Sequence, residues 1–231
     1  MKPTKEYNGR SRIRMVNADC MYFMQDCDKY DLAIVDPPYG IGMDGGKIGA
    51  GKKQKKKSWD VNIPEIEYFE YVFIVSDNQI IWGANYMTMY LPASSGWIYW
   101  DKLQNKEGHR YGKTFASGEL AFTSFKKPMQ HFEYKYQGNY MGSPQNITTK
   151  SSNPKELKIH PTQKPVQLYK WLLTNYAKEG DKILDTHGGS MSIAIACWDL
   201  GFDLDICELD TDYFNDAVKR FENHIAQAQL F

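Results

Sequence analysis

Ile183-Leu184-Asp185-Thr186-His187-Gly188-Gly189-Ser190 runs an apolar strand into a paired-glycine turn. Ile193, Cys197 and Leu200 follow in helical register, and Leu204-Asp205-Ile206-Cys207-Glu208 is a second strand that closes on an acid. A last helical segment carries Phe214, Ala217, Val218, Phe221 and Ile225 on one face. Strand, glycine turn, helix, acid-ended strand, helix is half of a doubly wound α/β fold. In that architecture the glycines let the backbone approach a ligand at a helix N-terminus. The acid about 20 residues further on accepts hydrogen bonds from ribose hydroxyls. Taken alone, the pattern is equally that of a structural turn with an incidental acid, because fold-level motifs do not determine function.

A second α/β block lies near the start of the chain. Ile13–Val16 reads as a short strand, and Asp19 is placed to cap a helix through Met24. Leu32-Ala33-Ile34-Val35 is a continuous apolar run, as in a strand covered on both faces. It stops at Asp36-Pro37-Pro38-Tyr39-Gly40, where two prolines cannot continue a central strand. This tetrad suits one chemistry. The exocyclic amino groups of adenine and cytosine are poor nucleophiles, because the nitrogen lone pair is delocalised into the ring. A site that accepts both amino protons localises that lone pair. The Asp36 carboxylate can accept one and the Pro37 carbonyl the other, in a backbone stiffened by two prolines. Tyr39 can stack on a flipped base, an interaction of about 1–3 kcal/mol. The bland alternative is an Asp-Pro turn after a strand.

Between the two blocks the chain changes character. Residues 41–58 form a Gly-rich loop with Lys47, Lys52, Lys53, Lys55, Lys56 and Lys57. Pro64 then opens a helix with Ile66, Phe69 and Phe73 on one face. Ile80-Ile81-Trp82 and Trp97-Ile98-Tyr99-Trp100 read as strands, and Glu119–Phe125 and His131–Tyr136 as shorter ones. After Pro165 a helical face holds Val166, Tyr169, Leu172, Leu173 and Tyr176. No internal repeat is evident.

Composition narrows the class. The 231 residues are 42% hydrophobic and 24% charged, which suits one globular α/β domain over 1–231. Zero net charge means that a nucleic-acid partner would have to be met by clustered basic residues. Cys20, Cys27, Cys197 and Cys207 form no C-x-x-C pair and do not alternate with histidines at metal-ligand spacing. They read as free thiols of a reducing compartment, and no metal is expected. No apolar run reaches the roughly 20 residues of a membrane span, and Met1–Arg14 shows no apolar signal region. The expected location is cytoplasmic.

The motifs together carry a resemblance. Asp36-Pro37-Pro38-Tyr39, then His160-Pro161-Thr162-Gln163-Lys164-Pro165, then Leu184-Asp185-x-x-Gly188-Gly189-Ser190, then Glu208-Leu209-Asp210-x-x-Tyr213 resembles the amino-methyltransferases of DNA. The catalytic motif precedes the cofactor motif, so the order is similar to the permuted, β-type members, those of phages and restriction–modification systems in particular. The likeness covers about residues 13–42 and 157–225. It implies a doubly wound, mostly parallel sheet of the S-adenosylmethionine-dependent methyltransferase type, with the strands of Val35 and Leu184 ending on one edge. A variable target-recognition insert is expected over roughly 84–155, with Arg110, Lys113, Lys126, Lys127 and many aromatics.

By the same resemblance, Asp36, Pro37, Pro38 and Tyr39 are catalytic. Asp185, Gly188, Gly189 and Ser190 surround the methionine part of S-adenosylmethionine, Asp36 and His187 are also cofactor-binding, and Glu208 binds its ribose. Asp19 lies near its adenine, and Thr162–Lys164 closes over the methionine end. Lys52, Lys53, Lys55, Lys56 and Lys57 are read as phosphate contacts of double-stranded DNA, against the alternative of a solvated run. A homodimer and a paired restriction endonuclease are compatible with the resemblance, and the sequence specifies neither. The family usually has Pro-Phe before the glycines and Gly-Thr after the serine; here Thr186-His187 and Met191-Ser192 stand there. His187 is read as packing beside the cofactor, with a general base as the sharper alternative. Met191 is expected to crowd the loop. The readings left open are an adenine-N6 enzyme, favoured by Asp at the first tetrad position, a cytosine-N4 enzyme, an RNA or protein-glutamine methyltransferase, and a DNA-binding protein with a decayed cofactor site.

Overall fold

The computed structural model describes residues 3–25, 27–43, 57–102, 116–137, 140–142 and 159–228. In chain order its elements are β1 (Thr4–Asn8), β2 (Arg12–Asn17), α1 (Cys20–Gln25), β3 (Tyr30–Val35), α2 (Ile66–Val75) and β4 (Ser76–Trp82). Then come β5 (Trp97–Asp101), β6 (Gly118–Thr123), β7 (Gln130–Glu133), β8 (Lys135–Gln137) and β9 (Tyr140–Gly142). The second block supplies α3 (Val166–Tyr176), β10 (Lys182–Asp185), α4 (Ser192–Leu200), β11 (Asp203–Glu208) and α5 (Thr211–Ala228).

Among the described residues nine strands make one sheet in the order β1-β2-β11-β10-β3-β4-β6-β5-β7. The five from β2 to β4 are parallel; β1 and β6 run against their neighbours, and β7 runs parallel to β5. β8 and β9 form a separate antiparallel pair. Within residues 84–155, therefore, β5, β6 and β7 extend the main sheet.

The apolar run Leu32–Val35 explains itself by alternation. Leu32 and Ile34 join one buried cluster with α3, α4 and α5; Ala33 and Val35 join the other with α1 and α2. Both faces of the centre are dry, which is why a period-two pattern is invisible there and the run is continuous. In α2 the buried stripe is Tyr68, Phe69, Val72 and Val75, whereas Ile66 is 45% exposed. The Ile66–Phe69–Phe73 face expected from the sequence is thus corrected by about one position. Ile66 sits in the first turn, beyond the sheet, and the apolar residues are spread around the helix so that no single stripe announces itself. No helix among the described residues is long and apolar enough to cross a membrane.

β10 pairs in parallel with β3, Ile183 opposite Leu32 and Leu184 opposite Ala33. From this pair the chain departs in opposite directions. After β3 it goes through α2 to β4, and after β10 through α4 to β11. The crevice at the C-terminal ends of such a strand pair is the switch point of a doubly wound sheet. The tetrad and the glycine turn both leave the sheet there.

Candidate active site

The tetrad follows β3 without a break, and its loop is held by a residue the sequence did not single out. Asp60, 2% exposed, accepts the backbone N–H of Tyr39 (2.8 Å) and Gly40 (2.9 Å) on Oδ1 and that of Met43 (2.7 Å) on Oδ2. A buried carboxylate with three backbone donors fixes the turn as firmly as a strand would. The Tyr39 ring lies on Gly83, where an added Cβ would come within 2.1 Å of it, and stacks on Tyr86 at 5.5 Å and 19°.

The functional groups of the tetrad meet those of the 160–165 segment. The Tyr39 hydroxyl donates to Asp36 Oδ1 (2.6 Å), and Lys164 Nζ lies 2.5 Å from Asp36 Oδ2 and donates to the Tyr39 oxygen at 3.0 Å. Glu119 of β6 joins them, 3.1 Å from Lys164, and pairs through its other oxygen with Lys102 at 2.5 Å. Lys164 has only 2% of its side chain exposed and passes over the Trp82 and Tyr39 rings. Burial raises the Asp36 carboxyl, and nearby Glu119 adds to that, while Lys164 and Tyr39 oppose it. Burial also works against charge on Glu119, but Lys164 and Lys102 pull that carboxyl down to about 2. Burial and the Asp36 and Glu119 carboxylates hold the Tyr39 phenol well above its usual range, so it stays a neutral donor.

Beside this network opens a cavity of about 700 Å³. Asp36 and Pro38 line it together with Thr186, His187, Gly188, Gly189, Ser190 and Glu208. Asp19, Thr162 and Lys164 reach it as well. The carboxylate of Glu208 is set by two backbone donors, Gly189 N–H to Oε2 and Asp210 N–H to Oε1, both at 2.7 Å. Each oxygen keeps a lone pair for a further hydroxyl donor. Gly188 is packed against Cys207, Ile206 and Met191, with 3.2 Å left to an added Cβ, so the turn cannot carry a larger residue without movement.

Most of the residues read from the sequence come together here, and some do not behave as expected. Asp185 is not part of the cavity wall. It is 1% exposed behind the turn, where it accepts the His187 N–H at 2.9 Å, and burial pushes its carboxyl up to about 8. His187 packs edge-on to Tyr68 at 5.2 Å with Nδ1 2.9 Å from the Thr186 hydroxyl. Burial lowers its ring to about 4, which makes it a weak base and favours the packing role. Met191 adopts φ 51, a left-handed conformation that costs a non-glycine residue about 1–2 kcal/mol. Its side chain is 1% exposed within the core cluster and packs against the glycine turn, 3.2 Å from a Cβ built on Gly188, so it bears on the loop and is not among the residues that line the cavity.

Of the lysine run read as phosphate contacts, Lys57 lies among the described residues. It pairs with Asp210 (2.5 Å) and Asp212 (3.0 Å), lies over the Tyr213 ring at 4.7 Å and lines the cavity. Two carboxylates at the start of α5 outcompete water for that ammonium. Trp59 follows it, stacked at a tilt on His160, which in turn meets Tyr213 edge-on. Lys52, Lys53, Lys55 and Lys56 lie outside the described residues, as do Arg110 and Lys113. Lys127 is docked on the end of α3, donating to the Asn175 carbonyl at 2.8 Å.

The arrangement brings the Asp36 carboxylate and Pro38 to the same cavity as a paired-glycine turn and a carboxylate preset by two backbone donors, with Pro37 buried next to them in the chain and not among the lining residues. A family model of DNA methylases, the N6 and N4 methyltransferases, matches residues 67–219. The type II methyltransferase M2.DpnII of Streptococcus pneumoniae is 24% identical across 95% of this chain and 93% of its own length. Among solved structures, M1.HpyAVI in complex with S-adenosylmethionine has a TM-score of 0.57 at 19% identity, over 90% of this chain and 99% of that one. The cytosine-N4-specific PvuII DNA methyltransferase has the same TM-score at 11% identity, over 90% of this chain and 86% of that one.

Proposed function

The chain belongs to the DNA methylase family of N6 and N4 methyltransferases, and from that premise we propose that it methylates the exocyclic amino group of adenine in double-stranded DNA. The observation that carries the proposal is a shared wall: Asp36 and Pro38 line the same cavity as Gly188, Gly189 and Glu208.

The residues present fit S-adenosylmethionine. Glu208 keeps a free lone pair on each oxygen for a ribose diol, the glycines admit the backbone closely, and Trp59, Leu209 and Tyr213 give the wall an apolar and aromatic stretch suited to a purine. When bound there it supplies an electrophilic methyl group on a sulfonium. Everything else falls to the protein. Asp36 accepts a hydrogen bond from one N–H of the target amino group and the Pro37 carbonyl from the other, which localises the nitrogen lone pair and aims it; once the N–C bond has formed, the surplus amino proton leaves through the Asp36 carboxylate. Both interactions strengthen as that nitrogen becomes tetrahedral, so they act on the transition state. Asp60 and the two prolines hold those acceptors still, which is the positional part of the catalysis. Tyr39, stacked on the half-exposed Tyr86, offers an aromatic platform for a flipped base. Asp at the first tetrad position favours adenine over cytosine.

Transfer of a labelled methyl group from S-adenosylmethionine to plasmid DNA, followed by hydrolysis and base analysis, tests the reading. The expected product is N6-methyladenine. N4-methylcytosine would reassign the base and leave the chemistry; label found only in RNA or protein would overturn the substrate.

A further inference from the structure

Both oxygens of Asp36 are occupied. Oδ1 holds the Tyr39 hydroxyl at 2.6 Å, and Oδ2 holds Lys164 Nζ at 2.5 Å. Each of these oxygens keeps a second lone pair, and a target amino group that takes it competes with the buried donor already there. A second acceptor for both stands beside them. Glu119 Oε2 is 3.1 Å from Lys164 Nζ and 3.3 Å from the Tyr39 hydroxyl. Its Oε1 is fastened to Lys102 at 2.5 Å, and register places Glu119 opposite Trp100, one residue from the end of β5. Rotation of one hydroxyl and a small shift of one ammonium are enough to move both donors from Asp36 to Glu119.

Resting on the reading of Asp36 given above, we propose that Glu119 is a positioning residue that takes over the Lys164 and Tyr39 donors when the target amino group engages Asp36. Lys164 cannot simply let go, since its side chain is 2% exposed and an unpaired ammonium there is costly. With Glu119 in reach it exchanges one carboxylate for another. Lys102 keeps the charge even, two ammoniums to two carboxylates. Lys164 and Lys102 also hold the Glu119 carboxyl near 2, so it stays ionised and is too weak a base to collect the amino proton itself. Its part is to uncover Asp36.

The test is single-turnover methylation of plasmid DNA at saturating S-adenosylmethionine, paired with calorimetry of cofactor binding. Glu119→Gln keeps the shape and removes the charge; the rate should fall about tenfold or more while cofactor affinity stays within about twofold. Glu119→Ala opens the space between Lys164 and Lys102, and added formate should restore part of its rate where chloride at equal ionic strength does not. A Glu119→Gln rate within about twofold of the parent, or a matched loss of rate and cofactor affinity, would show a packing role and overturn the proposal. So would an Ala variant indifferent to formate. Asp36→Ala in the same assay separates the two levels: if it stays active the tetrad reading fails, and if it is inactive while Glu119→Gln is not, only the role of Glu119 fails.

Discussion

Lys164 Nζ stands 2.5 Å from Asp36 Oδ2, so the ammonium ahead of α3 and the carboxylate at the end of β3 form one buried ion pair. Removing the ammonium leaves Asp36 and Glu119 facing each other without their shared cation. Lys164→Gln should cost about 3–5 kcal/mol of stability. It should also carry a pH signature. With Lys164 gone, Asp36 is raised further above its unfolded value, so the folded state binds the proton more tightly than the unfolded state does. The deficit should therefore shrink as pH falls from 8 towards 5 and grow as pH rises through the raised value. Urea unfolding of parent and variant at the two pH values measures it; an equal deficit at both would remove the buried-pair account.

Glu208 is preset by two 2.7 Å backbone donors. Its carboxylate is expected to hold two ribose hydroxyls at roughly 1.5–3 kcal/mol each in net terms. Glu208→Ala should weaken S-adenosylmethionine binding by an order of magnitude or more, read by calorimetry. Unchanged affinity in a folded variant would take Glu208 out of the site.

The two parts of the lysine loop should separate. Lys57→Gln removes the partner of Asp210 and Asp212 at the cavity wall, and should lower cofactor affinity with little effect on the salt dependence of DNA binding. Replacing Lys52, Lys53, Lys55 and Lys56 with Gln should do the reverse, reducing the salt slope by about 0.9 for each phosphate that is no longer neutralised. Fluorescence titrations across a salt series, with cofactor calorimetry on the same proteins, distinguish them.

The contrast between those lysines shows where sequence reasoning reached its limit. The strand into the tetrad was legible because Leu32–Val35 is continuous and two prolines end it; the glycine turn and the acid of Glu208 were legible because the spacing is local. Lys57 and Glu119 were not. A lysine in a lysine-rich loop carries no mark of the two aspartates it will meet on a helix near the other end of the chain. Glu119 reaches Lys164 only because β6 lies between β4 and β5 in the sheet, an order no local pattern encodes. Asp60 was hidden for a similar reason: its three backbone partners exist only once the tetrad loop has turned back on it.

Asp60 supplies a test of positioning without chemistry. Asp60→Asn retains one acceptor oxygen but presents an NH₂ group where the second oxygen stood, so one of the Tyr39, Gly40 and Met43 donors loses its bond. Stability should fall by about 1–3 kcal/mol. The methylation rate should fall too, with cofactor affinity near that of the parent, because Glu208 and the glycine turn are untouched. Single-turnover rates and calorimetry on one preparation check this; a loss confined to cofactor affinity would contradict it.

The central claim is that Asp36 accepts a hydrogen bond from the target amino group as the nitrogen attacks. Removing one such preorganised electrostatic partner costs on the order of 100-fold or more in turnover. Asp36→Ala should fold, bind S-adenosylmethionine and bind DNA no worse than the parent, since one negative charge near the phosphates is gone, and yet be almost inactive. The direct measurement is single-turnover methylation of a plasmid by a variant shown to bind both cofactor and DNA. A rate at least about 100-fold below the parent is predicted, and a rate within about threefold of it would contradict the assignment of the tetrad as the catalytic centre.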